Sequence, residues 1–373
     1  MKLLLVAPLP PPVGGIQSVT VNMINYVEAN QTDARLTVYN TSHRLRPITS
    51  ESKLMRLYTG ISNSLKTYFD VGRIMKRDMP DLVHLASSSS LALIKDLLII
   101  RAGKRRNVPV VVHWHFGRIP ALRARKNWEW KMLMRVIRQS SRSVVIDDPS
   151  YGALIDEGCA NVSCVPNPLS QEVERRAREL QQEKPGRRKG GVLYVGHVLR
   201  KKGVYELVEA CTATSLVEEL VLIGPYEEQV RNELAKIAGA RDNGRWLVFK
   251  GQQGQDQVLA HMARFPVLAL PSHTEGFPMV VLEAMAMGCA VVATDVGAIP
   301  DMLAVNTETP CGICVPVKDP ATLGEAVVSL MSGTGKRELF SARATERVLE
   351  QYTMQKVFAA YTRVWNQVVS SKS

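Results

Sequence analysis

Two glutamates, Glu275 and Glu283, stand with seven residues between them in the stretch HTEGFPMVVLEAMAMG (residues 273–288). A carboxylate inside an apolar run is costly unless something partners it. The preceding run, PVLALPS (266–272), reads as a buried strand, residues 273–276 as a loop, and MVVLEAMAMG as a helix closed by Gly288. Pro278 suits the first helical turn, where a missing N–H costs nothing. The N–H groups around Gly276, Phe277, Met279 and Val280 are then open, with the positive end of the helix dipole behind them, which makes an anion site. An interval of eight is not a same-face helical repeat, so the two acids address different parts of one ligand. Phosphate on the helix start and hydroxyls on both carboxylates describe the shape of a sugar nucleotide.

Other residues could serve the same chemistry. Lys202 closes the glycine loop YVGHVLRKKG (194–203) and can neutralise a diphosphate, with His197, Arg200 and Lys201 beside it. Gly14 and Gly15 follow the first apolar run and let the backbone approach a phosphate or an acceptor. His113 and His115, at the end of PVVVHWH (109–115), share one face of a strand. Cys311-Gly-Ile-Cys314 has redox or zinc spacing, but no second close-spaced pair completes a metal site and Val-Pro-Val follows where a reactive dithiol wants a helix start. These two read as residues of a turn and strand.

The elements that must position these groups alternate along the chain. Apolar runs at 2–8, 35–40, 81–86, 109–115, 143–147 and 163–167, then at 191–196, 219–224, 245–251, 266–272, 290–296 and 312–317, are separated by helix-length amphipathic segments. Several runs lack alternation, as strands buried on both faces of a parallel sheet do. The pattern predicts an α/β protein of two Rossmann-like, doubly wound parallel sheets. Strand, glycine loop and helix recur at 2–27 and 191–211. The polar stretch QEVERRARELQQEKPGRRKGG (171–191) reads as a linker. Ligands of such sheets sit beyond the carboxyl ends of the strands, so two facing domains would hold one across a cleft.

The chain has 373 residues, 46% hydrophobic and 22% charged, a profile that suits two globular domains and excludes a disordered protein. No stretch is long and apolar enough to span a bilayer. MKLLLVAP reads as a first buried strand rather than a signal peptide, which places the protein in the cytoplasm. The formal charge of +12 favours anionic partners. Much of the surplus lies in 101–109 and 117–142, and the second segment interleaves it with Trp128, Trp130, Met132, Leu133, Met134, Val136 and Ile137. Such a helix either lies on an anionic membrane surface or packs its apolar face on its own domain.

Glu275-Gly-Phe-Pro-Met-Val-Val-Leu-Glu283, with Ala-Met-Ala-x-Gly and AVVATDVGAIPDML after it, resembles the signature of retaining glycosyltransferases of the GT-B fold, in particular glycosyltransferase family 4. The likeness extends to the N-terminal Gly-Gly loop, PDLVHL, VVVHWH, VPN and YVGHVLRKKG. The resemblance implies an N-terminal acceptor domain over 1–170, a donor domain over 171–355, and a last helix from about 356 to 373 crossing back. It implies that Glu275, His115 and Lys202 act at the reacting sugar and diphosphate. Donor contacts would come from Gly14, Gly15, His197, Lys202, Gly276, Phe277, Pro278, Met279, Val280 and, at the ribose hydroxyls, Glu283. The family generally has Arg where this chain has His197, and Arg offers a permanent charge and a two-pronged fork that His lacks. VVIDDPS replaces a Ser-containing strand end, and Asn167 organises the domain connection.

The implied reaction moves a sugar from a nucleoside diphosphate sugar, UDP ahead of GDP, to a hydroxyl of a saccharide or lipid-linked acceptor in cell-surface polysaccharide or glycoconjugate assembly. It would keep the anomeric configuration and need neither cofactor nor metal. A peripheral position on the inner membrane face would account for 101–142; no nucleic-acid module is visible. Two alternatives stay open: a sugar-nucleotide epimerase of the same double-Rossmann layout, and a non-catalytic partner subunit.

Overall fold

Twelve apolar runs of the sequence become twelve parallel strands in two six-stranded sheets. The computed structural model describes residues 1–11, 14–30, 32–42, 53–88, 90, 92–183, 190–242 and 245–371, without the side chains of 53–61 and 240. The chain divides into two units, Met1–Pro168 with Met354–Ser373, and Leu169–Thr353.

The first sheet is built from β1 (Lys2–Ala7), β2 (Arg35–Asn40), β3 (Leu82–Ser87), β4 (Val110–Trp114), β5 (Arg142–Val145) and β6 (Val162–Cys164), in the order β2-β1-β3-β4-β5-β6. Every residue of β3 and β4 is buried, whereas the edge strand β2 is half-exposed along its length. That gradient is what unalternating runs at the centre of a two-faced sheet should show. One face is covered by the helix Met354–Ser370, whose buried residues Met354, Val357, Phe358, Tyr361, Val364, Trp365 and Val368 recur at three- and four-residue intervals. They pack with Leu3, Leu5, Leu82, Val111 and Val144 of the sheet. The opposite face is covered by helices that include Ala92–Arg105 and Trp128–Gln139.

The second sheet holds β7 (Gly191–Val195), β8 (Glu219–Ile223), β9 (Leu247–Gly251), β10 (Val267–Leu270), β11 (Ala290–Thr294) and β12 (Gly312–Val315), in the order β12-β11-β10-β7-β8-β9. The chain winds outward from β7 to β9, then crosses through the helix Gln255–Arg264 and resumes on the other side of β7 with β10. The strand order therefore reverses between β7 and β10, paired through Val192↔Val267 and Leu193↔Leu268. In open α/β sheets the loops beyond the carboxyl ends at such a reversal form the natural ligand crevice.

The linker expectation for 171–191 is corrected over most of its length. Gln171–Glu183 is a helix whose Val173, Ala177 and Leu180 are buried in the second unit. Their spacing of four and three makes a narrow apolar stripe that the surrounding Arg and Glu residues hide in the composition. On the exposed side Arg175 pairs with Glu172 and Glu179, and Arg178 with Glu174. Residues 184–189 lie outside the described residues.

Candidate active site

Beyond the carboxyl ends of β7 and β10 two loops touch. After β7 the chain passes Gly196 and His197, makes a 3-10 turn over Arg200–Lys202 and reverses at Gly203, whose φ is +70°. A Cβ on Gly203 would lie 1.9 Å from the carbonyl oxygen of Pro271 in the loop after β10. Glycine is required here both by the left-handed backbone and by the approach. The His273 N–H donates to the Lys201 carbonyl at 3.1 Å, which ties the loops together. The two side-chain links follow from that seam. Lys202 Nζ donates to Glu275 Oε1 at 2.6 Å, with 27% and 14% of the side chains exposed. His273 Nε2 lies 2.9 Å from Glu206 Oε1.

Glu275 leads into the helix Met279–Ala286, which begins after the buried Pro278 with no side chain capping it. The N–H groups of Met279 and Val280 precede the first intrahelical acceptor and carry the positive end of the dipole. Gly276 is braced from the other side: its carbonyl accepts from the Ala298 N–H at 2.8 Å, and Gly297, at φ +58°, passes so close that a Cβ would be 2.4 Å from that oxygen. Phe277 is half-buried, its ring centroid 6.0 Å from that of Tyr352. Glu283, one turn into the helix, accepts from Gln255 Nε2 at 3.2 Å. Burial pushes its carboxyl up to about 7, against the opposing effect of the Gln255 bond. Thus an ammonium, an uncapped helix start and two carboxylates of different environment converge at the strand-order reversal.

In the first unit the helix Gly15–Ala29 opens with Gly14 as N-cap in an extended conformation and no side-chain cap. A Cβ on Gly15 would meet nothing within 4 Å. A Cβ on Gly14 would lie 2.7 Å from Gln17 Oε1, so the Gln17 side chain lies against that residue. His113 is buried near the end of β4, and His115, just beyond it, is half-buried; their ring centroids are 3.8 Å apart. Burial lowers both, His115 to about 3, so each is a neutral imidazole at neutral pH. The Asn167 side chain faces His115 and acts in the opposite sense on it.

Residues 176–347 match the model for glycosyl transferases group 1, and residues 13–172 match that for Glycosyltransferase Family 4. The chain belongs to the group 1 glycosyltransferases. Sulfoquinovosyl transferase SQD2 of Arabidopsis thaliana is 26% identical over 79% of this chain and 58% of its own length. The chain spans about half the length of the curated relatives it matches. Its fold is GT-B, shared with sucrose-phosphate synthase from Thermosynechococcus elongatus (TM-score 0.75, 16% identity, 99% of each chain). Anabaena Alr3699/HepE in complex with UDP has the same fold (TM-score 0.70, 15% identity, 98% of this chain and 100% of that one).

In this group 1 glycosyltransferase the glycine loop after β7 carries His197, Arg200 and Lys202 in three different settings. His197 is exposed, and its carbonyl accepts from Tyr194 Oη at 2.8 Å. The Arg200 guanidinium stacks 3.7 Å over the Tyr205 ring and reaches Glu233 at 3.4 Å. Lys202 is the cation of this loop that meets Glu275. Asp147, in the departing VVIDDPS segment, is buried and caps the helix Asp148–Asp156 by accepting from the Ser150 N–H at 2.7 Å.

The apolar face of Trp128–Gln139 is used by its own domain. Trp130, Leu133, Met134, Val136 and Ile137 are buried, and Asn127 caps the helix. Its outward stripe is Trp128, Lys131, Arg135 and Arg138, all exposed. Arg123 is held by Asp156 and Glu157. Burial raises the Cys311 and Cys314 thiols to about 11 and about 12, the reverse of what a reactive pair needs. Among the described residues, no helix is long and apolar enough to cross a membrane, and no three His, Cys, Asp or Glu side chains are grouped to hold a metal.

The sequence reading missed Gln255, His273 and Glu206. Each meets its partner across a gap of 28 or 67 positions, and no local spacing signals such pairs.

Proposed function

We propose that this chain transfers a sugar, with retention of configuration, from a nucleoside diphosphate sugar to a hydroxyl of a saccharide or lipid-linked acceptor in glycoconjugate assembly. The observation that supports it best is the Lys202–Glu275 pair beside the uncapped start of Met279–Ala286 at the β7/β10 reversal. A diphosphate matches the ammonium and the free amides of Gly276, Phe277, Met279 and Val280, while Glu275 takes sugar hydroxyls and Glu283 the ribose. His197 lies at the edge of the same loop. UDP is the preferred nucleotide on this reading, in keeping with the HepE complex of the same fold.

In the reaction the acceptor oxygen bonds to the anomeric carbon as the bond from that carbon to the phosphate oxygen breaks. The departing phosphate oxygen takes the acceptor's proton on the same face of the sugar. The protein's part is to hold the substrates in reacting orientation and to stabilise charge growing on the diphosphate. Lys202 and the helix amides supply that stabilisation in this scheme, with no cofactor assigned. In the first unit, Gly14 and Gly15 receive the substrate backbone-on, and His115 faces a sugar hydroxyl. The cationic stripe Lys131, Arg135 and Arg138 faces an anionic lipid surface, bringing a lipid-linked acceptor within reach.

The test is a thermal-shift screen of nucleotide sugars, followed by acceptor-dependent release of nucleoside diphosphate with the best binder. Lys202→Met should lower turnover about 10²–10³-fold, the usual worth of one preorganised group at a developing anion. Conversion of the donor without any acceptor would identify an epimerase instead, and nucleotide binding without turnover a partner subunit.

A further inference from the structure

Two imidazoles and an indole in the first unit form a directional chain that leads to His115. Trp365, on the helix Met354–Ser370, donates its Nε1–H to His84 Nδ1 on β3 at 3.1 Å. His84 Nε2 in turn lies 3.3 Å from His113 Nδ1 on β4. An indole N–H can only donate. His84 Nδ1 is therefore a lone pair, and the proton of neutral His84 sits on Nε2. That proton points at His113 Nδ1, which must accept, so the proton of neutral His113 sits on Nε2. Each assignment forces the next, starting from a group whose polarity cannot invert.

The surroundings keep these rings neutral and fixed. His84 and His113 are 2% and 1% exposed, and burial lowers the basicity of both. The Tyr361 ring packs edge-on to His84 and His113 at 5.7 and 5.4 Å and stacks on Trp365 at 5.8 Å. The chain ends at the His115 ring, 3.8 Å from that of His113. There, His113 Nε2, His115 Nδ1 and Asn167 Oδ1 are buried and make no well-formed hydrogen bond within the protein.

We propose that Trp365 and His84 are positioning residues: they lock His113 as its Nε2–H tautomer against the His115 ring, and so hold His115 in one orientation at the carboxyl end of β4. Residues 281 positions apart in the chain, Trp365 and His84, thus set the geometry of a side chain that neither touches in sequence. The functional half of this inference rests on the reading of His115 as facing a sugar hydroxyl. Its tautomeric half does not.

The experiment is long-range ¹H–¹⁵N spectroscopy of the full chain labelled with ¹⁵N-histidine and free of ligand, the seven histidines being assigned by single His→Gln variants. The expected wild-type result is an Nε2–H pattern for both His84 and His113. Trp365→Phe keeps an aromatic ring and removes only the donor. It should turn both histidines to mixed tautomers together, and lower turnover of the best-binding nucleotide sugar several-fold with its KM unchanged. A loss of packing alone leaves the tautomers as they were. An Nδ1–H pattern for either ring in the wild type overturns the proposal, whatever the variant does. So does a variant in which His84 changes while His113 stays put. A protein that turns over no nucleotide sugar but shows the expected pattern refutes the transfer reading and leaves the lock standing. An active transferase with the wrong pattern does the reverse.

Discussion

Lowering the pH from 7 to 5 is expected to loosen the first sheet through its buried histidines, and His84 gives the size of the effect. Burial holds its pKa at about 4, against 6.5 for the free side chain. Above 6.5 the ring is neutral whether the chain is folded or not, and it contributes nothing to the pH dependence. As the pH falls below 6.5 the unfolded chain takes up a proton that the folded one refuses until about 4, so stability is lost over that window. At pH 5 the loss is RT times the logarithm of (1 + 10^1.5)/(1 + 10^−1), about 2 kcal/mol from this ring alone. His113 and His115 act in the same direction. Against a typical domain stability of about 5–15 kcal/mol the change is large. Hydrogen exchange of the β3 and β4 amides at the two pH values, corrected for intrinsic rates, measures it. His84→Gln should lose about 2 kcal/mol less than the wild type between pH 7 and pH 5. Equal losses in the two proteins would refute the argument.

Three other outcomes follow from single contacts. Gly203→Ala should destabilise the second unit by about 3 kcal/mol in urea unfolding, since its Cβ would sit 1.9 Å from Pro271 O at φ +70°; Gly254→Ala, with nothing within 4 Å, should be near neutral. If Glu283 binds ribose as a carboxylate, its pKa of about 7 makes UDP affinity rise about tenfold from pH 6 to pH 8 by calorimetry, and Glu283→Gln should flatten that dependence. Replacing Lys131, Arg135 and Arg138 by Gln should abolish co-sedimentation with anionic vesicles at a cost of about 1 kcal/mol per charge, whereas Arg123→Gln, already paired with Asp156 and Glu157, should change it little.

The strands were readable because their residues carry the signal themselves. KLLLVA, VVVHW and AVVAT are buried from end to end or nearly so, and unbroken apolar runs announce that environment. The loop and helix around Glu275 were readable too, because Pro278 and Gly288 punctuate them; the helix begins at Met279, where the sequence places it, and ends at Ala286, two residues before Gly288. The helix Gln171–Glu183 reads as a linker in sequence because three buried positions are too few to colour a charged composition. The helix Trp128–Gln139 left its reading open, since a basic amphipathic pattern looks alike whether its apolar face meets lipid or a sheet. Pairings such as His84 with Trp365 or His273 with Glu206 depend on which strands and helices become neighbours. No periodicity encodes that.

The Lys202–Glu275 bond gives the ammonium a carboxylate partner that an incoming anion has to displace. Simple phosphate has nothing to offer the evicted acid, so the exchange gains it little. A pyrophosphate carrying a sugar offers hydroxyls to Glu275 in return. On the proposed reading, the resting embrace of these two side chains sieves cargo from common cellular anions before any chemistry begins.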